Sequence, residues 1–277
     1  VGDTVSLPAA RCFSHGPSLT YMPYACSKSI HTYMMHTNCH GDRMSSHQFG
    51  RVLLVGGSRG IGAAAARALS TQCDELLSVS RTRAVAGRWI KADLAEDEGL
   101  DRVIAAVGDD RLDALLYLGG IWEDGAFTSA YDFAASPRAE TRRVIAVNLV
   151  APILLAQALI PAFRRARAPR LVLRGALSAL PNAATREVAN TASKAGLAGA
   201  AEALSLALGP EGIAVTLLHP GNVATPEVED DIASGRFDPQ TPIPLADLTE
   251  TILYALRLSS AARAGVLTLH QTRPFLQ

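Results

Sequence analysis

The chain has 277 residues, with 26 Lys+Arg balanced by 26 Asp+Glu and a formal net charge of +0, which argues against a role in binding nucleic acid or anionic lipid. Its 48% hydrophobic and 19% charged residues argue against disorder and for a substantial buried core. The four cysteines, at positions 12, 26, 39 and 73, contain no CxxC pair, so neither a disulfide framework nor a zinc site built on close pairs is supported.

Residues 1–43 stand apart. All four Met lie at or before position 44, with three of the four Cys and four of the seven His. Apolar periodicity is absent, and polar residues interrupt every short run, so no hydrophobic segment of the secretory kind is present. Many serines and few acids suit a transit peptide, but arginines are few. An irregular extension translated from upstream of a start at Met44 is the simpler reading. The expected organisation is that extension over 1–43 and a single domain over 44–277, cytoplasmic in the absence of a signal or anchor.

From Phe49 onward, apolar runs alternate with helical patterns. Strands are predicted at 51–55, 76–80, 88–91 and 114–118, with helices at 60–69 and 97–107 between them. A long helix at 138–163, a strand at 170–173 and a second long helix at 188–208 follow. The pattern closes with a strand at 213–218, a helix at 245–258 and a strand at 265–269. Such alternation implies an α/β fold with a parallel sheet covered on both faces, that is, a doubly wound sheet. The uncharged stretch 144–163 is long enough to span a bilayer. It contains Asn148, Pro152, Gln157 and Pro161 and falls inside the alternation, so it reads as a core helix.

After the first strand comes Val55-Gly56-Gly57-Ser58-Arg59-Gly60-Ile61-Gly62. Glycines let the backbone turn tightly and approach a pyrophosphate, and the helix that opens near Gly60 aims its N–H groups at the phosphates. The strand before and the helix after give this turn the context of a Rossmann-type dinucleotide site.

On these residues the chain resembles the short-chain dehydrogenase/reductase family over about residues 50–270. The family's Thr-Gly-x-x-x-Gly-x-Gly is matched at Gly56, Gly60 and Gly62, with Val55 in place of Thr. The resemblance implies further roles. Asp93-Leu94 would lie against the adenine, and Asn148 in Val147-Asn148-Leu149 would be the active-site Asn. Lys194 in Thr191-Ala192-Ser193-Lys194-Ala195 would hold the ribose. Pro220-Gly221-Asn222-Val223-Ala224-Thr225 would sit beside the nicotinamide carboxamide. The family's Asn-Asn-Ala-Gly is altered to Tyr117-Leu118-Gly119-Gly120. Relatives pair through the two long helices, so a homodimer or homotetramer acting on a small-molecule substrate is also implied.

An NAD site commonly ends the second strand with an acid for the ribose hydroxyls, but this chain reads Ser78-Val79-Ser80-Arg81-Thr82 there. Arg81 and Arg59 would instead meet a 2′-phosphate, which points to NADP(H). The proton-transfer residues depart from the family. Four residues before Lys194 stands Asn190 where the family has Tyr, and a carboxamide has no proton to release near neutral pH. The family's Ser aligns with Ala176, and Ser178 comes two residues late. The catalytic candidates are thus Asn148, Lys194, Ser178 and Asn190.

Tyr24-Ala25-Cys26-Ser27-Lys28 repeats the Tyr-x-x-x-Lys spacing outside any helix-and-sheet context and reads as chance similarity. Glu123, Asp124 and Tyr131 follow the fourth strand and are expected on a surface loop, with bordering the pocket as the alternative, and His219 is expected to pack at a strand end. The polar, proline-punctuated stretch 225–244 is expected to be a substrate lid. Two functions follow: an NADP(H)-dependent reductase of a small carbonyl or imine compound, or an NADP-binding protein that has lost dehydrogenase activity.

Overall fold

The computed structural model describes residues 48–237 and 239–272. The extension over 1–43, with its Tyr24–Lys28 pair and the cysteines at 12, 26 and 39, lies outside the described residues.

Seven strands form one parallel sheet in the order β3-β2-β1-β4-β5-β6-β7. They are β1 (Phe49–Val55), β2 (Cys73–Ser80), β3 (Arg88–Lys91), β4 (Ala114–Tyr117), β5 (Arg170–Arg174), β6 (Ala214–Pro220) and β7 (Val266–Leu269). Along β1, Val52 and Leu54 face one helical layer while Leu53 and Val55 face the other. Side chains alternate along a strand, so a strand covered on both sides reads as an unbroken apolar run.

One layer holds α1 (Gly60–Ser70) and α8 (Leu245–Arg257), which bring Ala66, Leu69 and Ile252 against Val52 and Leu54. The other holds α2 (Asp97–Val107) and α6 (Val188–Leu208), which bring Val103 and Leu197 against Leu53, Leu77 and Leu171. Each such Val or Leu contributes roughly 1.5–3 kcal/mol by leaving water.

The helix expected over 138–163 is broken. It runs as α3 (Arg138–Ile145), a π turn (Ala146–Val150), α4 (Ala151–Ala158) and, after Leu159, α5 (Ile160–Phe163). Pro152 has no N–H, and in a regular helix its ring would press on the Asn148 carbonyl. The wider π turn takes up the misfit, with Ala151 N–H donating to the Ala146 carbonyl. The Val147 carbonyl, left without a helical donor, accepts the Tyr117 hydroxyl at 2.5 Å. Pro161 stands in the first turn of α5 and marks the second break. Both prolines were visible in the sequence, and both mark where the helix fails.

The stretch expected as a lid contains α7 (Pro226–Ala233), capped by the Thr225 hydroxyl, which accepts from Val228 N–H at 3.3 Å. Its base is closed by a parallel bridge between Val223 and Ile243. Among the described residues, no helix is long and apolar enough to cross a membrane.

After β3 the chain crosses to β4, on the other side of β1. The loops after β1 and β4 therefore diverge, leaving a crevice at the carboxyl ends of the strands, where doubly wound sheets bind ligands.

Candidate functional site

The turn after β1 is built without room for side chains. Gly56 has φ +98°, in the left-handed region, and a Cβ on Gly62 would collide with the Gly56 carbonyl oxygen. α1 therefore begins pressed onto the strand end. No side chain caps its N-terminus and its first turn holds no acid, which leaves the positive end of the helix facing the crevice.

The crevice is a cleft of about 710 Å³. Gly56, Ser58, Arg59, Gly60, Ile61 and Gly62 line its wall at the turn, and Arg81, Asp93 and Leu94 line it beyond β2 and β3. Gly119 and the Pro220, Gly221, Val223 and Thr225 group line the rest. All the cofactor-binding candidates except Lys194 thus share one cavity, together with Ser178 and Asn190. Asn148 and Lys194 lie behind its wall, at 0% and 2% exposure.

Asp93 is held from two sides, by Arg143 Nη2 at 2.5 Å and Ala95 N–H at 3.1 Å. Burial alone would raise its carboxyl. The two hydrogen bonds and the charges of Arg143 and Arg81 outweigh burial and hold it below the usual carboxylate value.

Behind the cleft runs a buried polar chain. Asn148 clamps the loop after β4, donating to Ile121 O at 2.8 Å and accepting from Ile121 N–H at 2.9 Å. Its amide also donates to Ser193 Oγ at 3.2 Å, and that hydroxyl donates to the Asn190 carbonyl at 2.7 Å. The Asn190 side chain donates to the same Ile121 carbonyl at 3.3 Å. Lys194 Nζ donates to the Arg174 carbonyl at 2.9 Å, and burial, reinforced by the Arg174 charge, lowers it well below an ordinary lysine. Tyr117 lines the cleft as well, but its hydroxyl is engaged by Val147 and burial pushes its pKa up. His219 packs at the end of β6 with Nδ1 2.7 Å from the Ala176 carbonyl, and burial lowers its pKa.

Two residues expected on a surface loop are buried. Glu123 is 5% exposed and Tyr131 4%. Glu123 Oε1 accepts from Ala189 N–H at 2.7 Å and Asn190 N–H at 3.1 Å, capping the first turn of α6. Tyr131 Oη accepts from Val188 N–H at 3.2 Å. The open backbone donors of a 21-residue helix draw this loop inward. Asp124 remains exposed, as expected.

Sequence reasoning did not single out Arg174, Trp122, Phe127 or Phe237, all of which line the cleft. Arg174 was the most readable of them, as a cation ending the apolar run Leu171-Val172-Leu173.

Comparison with known proteins places this geometry. The model of the short chain dehydrogenase family matches residues 51–234. The short chain dehydrogenase prhI of Penicillium brasilianum is 31% identical over 197 residues, covering 68% of this chain and 74% of its own. Among solved structures, ElxO with NADP bound superposes with a TM-score of 0.67 at 16% identity, covering 80% of this chain and 96% of its own. The 3-alpha-hydroxysteroid dehydrogenase of Pseudomonas sp. B-0831, complexed with NADH, gives 0.65 at 21% identity over 79% of this chain and 94% of its own.

Proposed function

The chain belongs to the short chain dehydrogenase family, and on that premise we propose that it is an NADP(H)-dependent oxidoreductase acting on a small organic carbonyl or imine compound. The observation that carries the cofactor choice is the pair Arg59 and Arg81. Both line the cleft, with the Arg81 charge felt by Asp93, and neither is held in a direct salt bridge to a described residue. β2 ends in Ser80, whose hydroxyl is turned to the Thr82 carbonyl at 2.7 Å, so no acid awaits a ribose hydroxyl at that strand end. Two guanidinium groups there suit a 2′-phosphate.

The glycine cradle between Gly56 and Gly62 fits the pyrophosphate, since a Cβ would fill the space the backbone leaves. When bound, the nicotinamide supplies the hydride. Proline, glycine and threonine at 220, 221 and 225 are the residues that would flank its carboxamide. Asn148 fixes the loop after β4, and Lys194 stands ready behind the wall. An oxyanion formed from a carbonyl would draw its proton from Lys194, Ser178 or water, because Asn190 has none to give. An iminium acceptor needs none.

Titrating the full chain with NADPH and NADH tests the reading. NADPH is expected to bind about tenfold or more tightly. Equal affinity, or no binding of either, overturns it.

A second reading, an NADP-binding protein without dehydrogenase activity, is favoured by the side chain of Asn190 at the expected proton-donor position, where it serves as a donor to Ile121. Hydride transfer from labelled NADPH across a panel of ketones and imines separates the two. We include a homodimer or homotetramer in the proposal, supported by Val150, Leu154 and Leu206, which present apolar side chains at 42%, 36% and 74% exposure. A cytoplasmic location belongs to the same proposal.

A further inference from the structure

The cation at the end of β5 has no part in the function proposed above. Arg174 lines the cleft with its Nη2 2.5 Å from the point where a Cβ on Gly120 would stand. That same point is 3.4 Å from Asn148 Oδ1 and 3.5 Å from Lys194 Nζ, so one end of the guanidinium reaches the buried polar chain while the group lines the cleft. A residue other than glycine at 120 would meet it. Among the described residues no carboxylate acts on Arg174, and its buried Nε has no hydrogen-bond partner.

A partly buried guanidinium without a counter-charge is destabilising unless something brings one. The ring of Trp122 lies 5.7 Å from the guanidinium carbon and occupies its flank. What a guanidinium offers a ligand is a planar fork of N–H donors, which matches a carboxylate better than any neutral acceptor.

The surroundings define the rest of that ligand. Trp122 and Phe127 meet edge to face at 6.3 Å, and Phe127 and Phe237 at 6.0 Å. All three line the same cleft, two from the loop after β4 and one from the segment after α7. From this juxtaposition we propose that Arg174 anchors a substrate carboxylate, and that the substrate is an apolar, ring-bearing carbonyl or imine acid whose body lies along Trp122, Phe127 and Phe237. The proposal rests on reading the chain as an oxidoreductase whose dinucleotide shares the cleft. It separates the two anionic ligands: the pyrophosphate at the glycine turn, the carboxylate at β5.

The test uses the full chain, with and without NADPH, and measures by calorimetry the binding of phenylpropionate and of its uncharged isostere phenylpropionamide. The wild type is expected to prefer the carboxylate by about tenfold or more, the range of a charge-assisted pair. In Arg174→Met the two probes should bind within about twofold of one another, and in Arg174→Lys, which keeps the charge but not the fork, the preference should be intermediate. NADPH affinity, titrated separately, should stay within about threefold in both variants, as the cofactor phosphates lie at the other wall.

Equal binding of the two probes to the wild type overturns the proposal, as does a preference that survives in Arg174→Met. Loss of NADPH affinity in step with the arginine also overturns it, by assigning the guanidinium to the cofactor. Should Arg174→Met fail to fold, the wild-type comparison and Arg174→Lys decide the matter. If the wild type binds neither NADPH nor NADH, the oxidoreductase reading falls on its own, and the carboxylate preference without cofactor is still read.

Discussion

The side-chain nitrogen of Lys194 donates to the backbone carbonyl of Arg174 at 2.9 Å, so two basic groups meet at one strand end. Burial lowers both: Lys194 well below its ordinary value, with the Arg174 charge adding to the effect, and Arg174 to about 10. No carboxylate among the described residues acts on either to offset that loss of hydration. Arg174 is only partly buried, and replacing its unpaired charge by an apolar side chain of similar length removes what penalty there is. Arg174→Met is therefore expected to stabilise the ligand-free protein by up to about 1 kcal/mol. Urea unfolding at neutral pH checks it. A loss of stability would show that the contact with Trp122 outweighs the desolvation.

The glycine turn makes a sharper demand. A Cβ on Gly62 would overlap the Gly56 carbonyl, and neither the strand end nor the first turn of α1 is a flexible side chain that can swing aside. Gly62→Ala should cost about 1–3 kcal/mol of stability, as overpacking does. It should also weaken NADPH binding by about tenfold or more, since it moves the backbone donors meant for the pyrophosphate. Retained affinity in a folded variant would place the cofactor elsewhere.

Glu123 offers a test of how the loop after β4 is held. Its Oε1 accepts two backbone N–H groups of α6 while Oε2 is buried without a partner. Glu123→Ala removes the cap and should cost about 1–2 kcal/mol. Glu123→Gln keeps one acceptor oxygen and should cost less, retaining the cap without its charge at the positive helix end. If both variants unfold at the wild-type midpoint, the contact is not structural.

These residues also show what was legible in the sequence. The turn at Gly56–Gly62 could be read because a strand, three spaced glycines and a helix are local in the chain, and the cavity gathers the residues that the spacing named. The doubly wound sheet was readable for the same reason, as its strands are short apolar runs such as Leu53-Leu54-Val55. The roles of Glu123 and Tyr131 depend on the start of α6, more than fifty residues away, and no local pattern marks an acid that will find a helix end. Pro152 was present in the sequence, yet whether it bends, widens or ends a helix depends on the Tyr117 hydroxyl that takes up the freed carbonyl. Beyond ending an apolar run, Arg174 carries no mark in the local sequence, and its place beside Gly120, Lys194 and Trp122 depends on the folded arrangement.

His219 gives the fold a pH dependence of defined sign. Burial lowers its pKa from the ordinary 6.5, and the Lys194 charge lowers it further against the opposing hydrogen bond to Ala176. The folded ring therefore takes up its proton at a lower pH than the unfolded ring, and in its neutral form Nδ1–H donates to the Ala176 carbonyl. Below 6.5 the unfolded state binds more protons, so stability rises with pH through that window and falls as the pH drops. Asp93 acts in a separate, more acidic window: its pKa lies below 3.8, so its contribution is full above that value and is lost as the pH falls through its folded value. His219→Asn keeps a donor in the same place and cannot titrate. Urea midpoints at about pH 7.5 and about pH 5.5 should therefore drop further for the wild type than for the variant. Equal drops would show that the ring titrates alike in both states, and that its burial against Ala176 is not maintained in solution.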